Sequence, residues 1–258
     1  MNYIGIDIGS TCAKTAVLDE NGTLVLQFII PTGWSSVGTA EAICQKLLES
    51  AIDAQQTPCV ATGYGRAAVP YANKAVTEIT CHAKGACAIF ARRDMTVIDI
   101  GGQDTKIISI EGGAVKDFIM NDKCSAGTGR FLEVMANTLA VSPEALCGLA
   151  AKGSGTSISS MCTVFAESEV ISLIGRGEKR ENIAFAVVDS IVQKVALQAK
   201  RLISANVVCL TGGLCDSTYI IDALSGVLRT QVLSNECGRY AGAIGAALYA
   251  RKGAAADG

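Results

Sequence analysis

Short apolar runs alternate with glycine-rich turns along this chain, and one such pattern occurs twice. Residues 3–25 read YIGIDIGSTCAKTAVLDENGTLV, and residues 96–115 read TVIDIGGQDTKIISIEGGAV. Each copy starts with an apolar run ending in an aspartate, Asp7 or Asp99, followed by Ile-Gly and a polar turn. A lysine stands seven residues after each aspartate, Lys14 or Lys106, and opens a second apolar run. Runs of this length, rich in branched residues and bounded by glycine, predict strands. The turns Asn21-Gly22 and Gly112-Gly113 predict a further hairpin in each copy. Elsewhere the period is helical: Ile43, Leu47, Leu48 and Ala51 form one apolar stripe of a helix predicted over residues 41–54. A long scaffold helix is predicted over residues 183–203. An apolar run at 207–210 precedes Thr211-Gly212-Gly213-Leu214, and GAIGAA at 242–247 predicts the start of a last helix. The tail 253–258 is expected to be disordered.

Composition narrows the picture. The chain has 258 residues, half of them apolar and 18% charged, enough to bury a core in one large domain or two small lobes. A net charge of −2 offers no field for nucleic acid or an anionic membrane. No apolar run approaches the ~18 residues of a spanning helix, and Asp7 interrupts the first apolar stretch before a signal peptide could form. A cytoplasmic location is expected. The eleven cysteines are odd in number and include no CxxC pair, which argues against a disulfide framework or a local zinc knuckle. Cys44, Cys59, Cys87, Cys147 and Cys209 are expected to be small buried hydrophobes.

The duplicated hairpin suits a nucleotide. Glycines let backbone N–H groups close on phosphate oxygens without a Cβ in the way, and a strand-end carboxylate holds Mg²⁺ through its waters. Two such hairpins, the glycine cluster at 211–214 and the cluster at 242–247 occur in an order that resembles the ASKHA superfamily. That resemblance implies an α/β fold of the actin/Hsp70 type, with two duplicated ribonuclease-H-like lobes and ATP in the cleft between them. The lobes are expected at 1–93 plus about 235–258, and at 94–234.

Two cysteines have an unusual setting. Cys124 in NDKCSAGTGRFLEV and Cys162 in SSMCTVFAESEVISLI each precede a predicted helix, with Ser125 or Thr128 and then Thr163 as candidate caps and Glu167 close behind. Helix N-termini favour negative charge, so both thiols are placed to act as thiolates. A [4Fe–4S] cluster takes four thiolates, and two per chain would complete the set in a twofold dimer. Cys81, Cys215 and Cys237 compete for that role but lack the cysteine-before-helix setting.

TGYGR at 62–66, EITCHAKG at 78–85, VIDIGGQD, NDKCSAGTGRFLEVMA and CTVFAESEVIS together resemble the activator components of 2-hydroxyacyl-CoA dehydratases and the related BadF/BadG/BcrA/BcrD-type ATPases. The resemblance implies a homodimer with one bridging [4Fe–4S] cluster, in which two ATPs drive delivery of a low-potential electron to a partner enzyme. It makes Cys124 and Cys162 the cluster ligands. Ser10, Thr11, Cys12, Ala13, Lys14, Gly101, Gly102 and Gly127 become nucleotide contacts on the phosphate side, and Gly212 and Gly213 lie near the adenosine. Asp7 and Asp99 orient Mg²⁺ and its waters, and Gln103 takes the place of a residue that positions the attacking water. Asp216 and Arg239 stand where family members carry Gln, as candidate base and ribose contacts; Cys12 replaces a smaller residue. Implied partners are a dehydratase or other iron–sulfur acceptor and an upstream ferredoxin or flavodoxin. ATP is expected to act mechanically, by changing the angle between the cluster-bearing helices. His82, the only histidine, is expected to cap a helix or be a buried polar group. The alternatives are a small-molecule kinase of the same superfamily and a nucleotide-switched, chaperone-like ATPase; a brown, oxygen-sensitive protein would select the electron donor.

Overall fold

The structure, a computed structural model, describes residues 1–159, 162–203 and 207–254. The chain forms two compact units. One comprises Met1–Arg93, Ile110–Lys116 and Cys237–Gly258, the other Asp94–Ser109 and Asp117–Glu236. In chain order the elements are β1 (Tyr3–Ile8), β2 (Cys12–Leu18), β3 (Leu24–Pro31), α1 (Ser36–Glu49), β4 (Cys59–Thr62), β5 (Lys74–Ala75) and α2 (Glu78–Phe90), then β6 (Met95–Ile100), β7 (Thr105–Glu111) and β8 (Ala114–Asn121). They continue as α3 (Gly129–Thr138), α4 (Pro143–Ala150), α5 (Thr163–Gly175), α6 (Arg180–Ala199), β9 (Val208–Gly212), α7 (Thr218–Leu228), β10 (Val232–Leu233) and α8 (Ala241–Ala254).

The repeat seen in the sequence is a repeat of topology. One sheet runs β3-β2-β1-β4-β5, and the other, read in the same sense, β8-β7-β6-β9-β10. In both, the aspartate-bearing strand is central and pairs in parallel with the strand that follows the crossover, β1 with β4 and β6 with β9. A parallel neighbour on an inner strand requires cover on both faces, and every position of β1, β4, β6 and β9 is buried. The cores follow: Ile4, Ile6 and Ile8 with Ile43 and Leu47 of α1 in the first unit, and Ile98, Ile100 and Ile107 with Phe131, Met135, Val187 and Ile191 in the second.

Helix boundaries depart from the expectations. Helix α1 starts five residues earlier than expected, because Ser35 accepts a capping bond from the Gly38 N–H, and ends before Ala51, whose φ of 59 is left-handed. Within α1, Ile43 and Leu47 are buried whereas Leu48 is 58% exposed, and Ala51 lies outside the helix. Gly253 and Ala254, expected in a disordered tail, belong to α8; residues 255–258 lie outside the described residues. Close helix contact explains several glycines. A Cβ on Gly245 would fall 1.8 Å from the Cys81 carbonyl oxygen, and one on Gly5 1.9 Å from that of Ala243, so α8 packs directly on the backbones of α2 and β1.

Candidate functional site

The seven-residue spacing from aspartate to lysine is a hairpin register. Asp7 lies opposite Lys14 and Ile8 opposite Ala13, and the Gly9 N–H closes the turn on the Cys12 carbonyl at 3.2 Å. Ser10 and Thr11 are exposed at its tip, while Cys12 is half-buried at the start of β2. Asp7 itself is only 4% exposed. A Cβ on Gly63 would lie 2.6 Å from its Oδ1, and one on Gly242 would lie 2.4 Å from its Oδ2 and 2.8 Å from His82 Nε2. These two glycines leave just enough room for the carboxylate and the imidazole.

His82 Nε2 stands 3.6 Å from Asp7 Oδ2 and 3.9 Å from Glu78 Oε1, and the three donor atoms lie within 4.8 Å of one another. Among the described residues this is the group that could hold a metal ion. Sequence reasoning selected Asp7 and missed Glu78. The available signal was the i, i+4 spacing of Glu78 and His82, which puts both on one face of a helix. His82 is a buried polar residue of α2, one of the two roles expected for it.

In the second hairpin Asp99 is 1% exposed and Lys106 also 1%. Lys106 Nζ sits 2.7 Å from Asp104 Oδ1 and 3.4 Å from Asp99 Oδ2, and Thr211 Oγ1 donates to Asp99 Oδ1 at 2.7 Å. Asp104 was absent from the candidates, although it lies two residues before the lysine that it binds. Gly101 donates its N–H to the Asp104 carbonyl at 2.9 Å, and a Cβ there would meet Asp104 Oδ1 at 2.4 Å. Its demonstrable role is thus to let the turn close. Gln103 is exposed. Gly212 has φ +88 and no room for a side chain, since a Cβ would lie 2.3 Å from the Ile100 carbonyl oxygen. Gly213 donates to that same carbonyl at 3.0 Å, with open space where its Cβ would be. Asp216 is exposed in the second unit, and Arg239 is half-buried in the turn before α8 of the first.

The two selected cysteines share one patch of the second unit. Helix α3 begins at Gly129 with Thr128 as N-cap, so Cys124 precedes it by a full turn rather than directly. Cys162 is itself the N-cap of α5, and Thr163 is the first helical residue. None of the expected side-chain caps forms. Instead Ser125 Oγ and Thr163 Oγ1 bond each other at 2.7 Å, which ties the two cysteine-bearing turns together. Asn121 donates to the carbonyls of Cys124 and Ala126 at 2.9 and 3.1 Å. Lys194 Nζ lies 3.7 Å from Cys124 Sγ and lines a cavity of about 240 Å³ with Gly127, Phe131, Asp189 and Leu197. Cys162 is exposed and Cys124 half-buried.

The competing cysteines are less suited. Burial pushes the Cys81 thiol up to about 12, the nearby Thr62 hydroxyl opposing and the Asp7 and Glu78 charges adding to it; Cys215 is 1% exposed. Metal ligation needs a thiolate with access. Cys237, contrary to expectation, does precede a helical turn, but it is half-buried against the apolar cluster of Ala16, Ala243 and Ile244. Cys59, Cys147 and Cys209 are buried as expected, whereas Cys44 and Cys87 are only half-buried.

Two sheets of one topology, each with a central strand that ends in a buried aspartate and a glycine turn, define an α/β protein of the actin/Hsp70-type (ASKHA) fold. The chain belongs to the BadF/BadG/BcrA/BcrD ATPase family, which it matches over residues 4–250. The (R)-2-hydroxyglutaryl-CoA dehydratase activating ATPase of Acidaminococcus fermentans is 41% identical to it over 255 residues, 98% of either chain. The solved activator of the 2-hydroxyisocaproyl-CoA dehydratase from Clostridium difficile, with bound ADPNP, matches with a TM-score of 0.93 at 35% identity, over 100% of this chain and 97% of that one. A ROK family glucokinase from Streptomyces griseus, in complex with glucose and AMPPNP, shares the fold alone, with a TM-score of 0.63 at 18% identity over 98% of this chain and 100% of that one. No helix of the described residues is long and apolar enough to cross a membrane.

Proposed function

We propose that the chain is an ATP-hydrolysing electron donor: a homodimer that holds one [4Fe–4S] cluster through Cys124 and Cys162 of each copy. It would take electrons from a ferredoxin or flavodoxin and pass them singly to a 2-hydroxyacyl-CoA dehydratase or a related iron–sulfur reductase. The observation that carries this reading is the Ser125–Thr163 bond, since it holds two thiol-bearing turns in one patch with one thiol exposed. That donor set fits half of a four-thiolate cluster, and a second copy about a twofold axis supplies the other half. Bound there, the cluster supplies a one-electron carrier. Val164, Phe165, Ile171 and Ile174 of α5 are 44–67% exposed, and apolar exposure on this scale beside Cys162 suits a surface covered by a partner.

For the nucleotide, Ser10, Thr11, Ala13, Lys14, Gly101, Gly102 and Gly127 shape the phosphate contacts, and Gly212 and Gly213 the adenosine side. Asp7, with Glu78 and His82 beside it, orients the waters of Mg²⁺. Asp99 is already engaged by Lys106 and Thr211, so it acts on the local charge and water rather than as a direct ligand, and Gln103 orients the attacking water. The cytoplasm supplies the reducing conditions that suit a chain with eleven cysteines. Electron delivery to the partner should require Mg·ATP, whereas chemical reduction of the free dimer should not. Delivery at the same rate without ATP would refute the coupling.

A further inference from the structure

We propose that Ser125 and Thr163 are positioning residues that pass the state of the Gly101–Gly102 loop to Cys162. The inference rests on the reading above, that this loop takes nucleotide phosphate and that the cysteines hold the cluster.

An unbroken series of short contacts leads from the loop to the thiols within the second unit. Gly129 and Arg130, the first residues of α3, donate their N–H groups to the carbonyls of Gly101 and Gly102 at 2.9 and 2.7 Å. Glycine at 129 permits this approach, since a Cβ would already lie 3.2 Å from the Gly101 oxygen. Thr105, just after the loop, donates its hydroxyl to the Gly127 carbonyl at 2.7 Å. The fully buried Thr128 donates both its hydroxyl and its N–H to the Ser125 carbonyl, at 2.6 and 3.0 Å. Loop, turn and helix start therefore shift together, and the Ser125 side chain extends that body to Thr163 at 2.7 Å. Thr163 follows Cys162 directly, so the bond acts on the first turn of α5. A polar link between α3 and α5 themselves, Thr138 to Glu167 at 3.2 Å, attaches one turn further along and away from the cysteine.

Neither hydroxyl sits at an N-cap, which Thr128 and Cys162 occupy, and neither α3 nor α5 has a side-chain cap bond. Their engagement with each other, across 38 residues of sequence, is what makes them a link. A series of contacts carries coupling only if both ends bias the same element, so both ends must be read.

The test is hydrogen exchange on the full-length protein as purified, with ADP and with a non-hydrolysable ATP analogue. In the wild type, exchange in residues 125–130 and in residues 163–168 should both depend on the nucleotide. Thr163→Val and, independently, Ser125→Ala should leave the response at 125–130 but reduce that at 163–168 by about two- to tenfold, the range that one hydrogen bond is worth. Thr163→Ser, which restores the hydroxyl, should restore the response. Basal ATP hydrolysis should be unchanged in all three variants, which separates positioning from structural damage. A response at 163–168 that persists in both hydroxyl-deleted variants would overturn the proposal, as would a wild type in which only 125–130 responds. If neither segment responds, the loop does not sense nucleotide and the reading beneath the proposal fails with it; absence of iron would instead strike the cluster assignment alone.

Discussion

Lys106 is the most demanding single residue, because two carboxylates share its ammonium at 1% exposure. Removing one partner of a buried ion pair leaves uncompensated charge and costs about 3–5 kcal/mol. Lys106→Met should therefore lower the urea midpoint far more than Lys14→Met, whose lysine is half-buried. The glycines separate shape from contact. Gly213→Ala has open space for its methyl, so stability should stay within about 0.5 kcal/mol while ATP affinity in titration calorimetry falls about tenfold or more. Gly242→Ala would drive a methyl into Asp7 and His82 and should abolish Mg·ATP hydrolysis. The buried thiols set an alkaline limit. Burial raises Cys59 and Cys81 from the ordinary value of 9.0 to about 12. Above pH 9 the unfolded chain releases protons that the folded chain keeps, so stability falls as pH rises towards 12. Denaturation midpoints measured across pH 8–11 should decline, and less steeply in Cys59→Ala.

At the scale of elements, the hairpins were legible and the helix ends were not. Asp7 and Lys14, like Asp99 and Lys106, occupy neighbouring strands of one turn, so their spacing is written in a few consecutive residues. Glu78 and Asp104 escaped notice because their significance arises from partners on other elements or across a turn. The same holds for Ser125 and Thr163, which local rules assign to capping and the fold assigns to each other. Helix α5 gives a prediction of its own. Its exposed Val164 and Phe165 flank the N-terminal turn that carries Cys162, and Phe165→Glu should weaken self-association in analytical ultracentrifugation without lowering the melting temperature of the monomer. Unchanged self-association would remove α5 from the interface.

At the scale of the molecule, the duplicated topology was readable because the two copies keep the same order of strand, aspartate, glycine turn and lysine. The segment α3 to α5 between β8 and α6, which has no counterpart between β3 and α1, carries both selected cysteines, and there the sequence offered only local cues. The central claim, that Cys124 and Cys162 hold a shared cluster, is tested most directly by iron analysis of anaerobically purified protein. The wild type and Cys147→Ser, whose thiol is buried at 6% exposure, should each carry about four iron atoms per dimer, and Cys124→Ser and Cys162→Ser none. A full complement of iron in either of the last two variants would contradict the account.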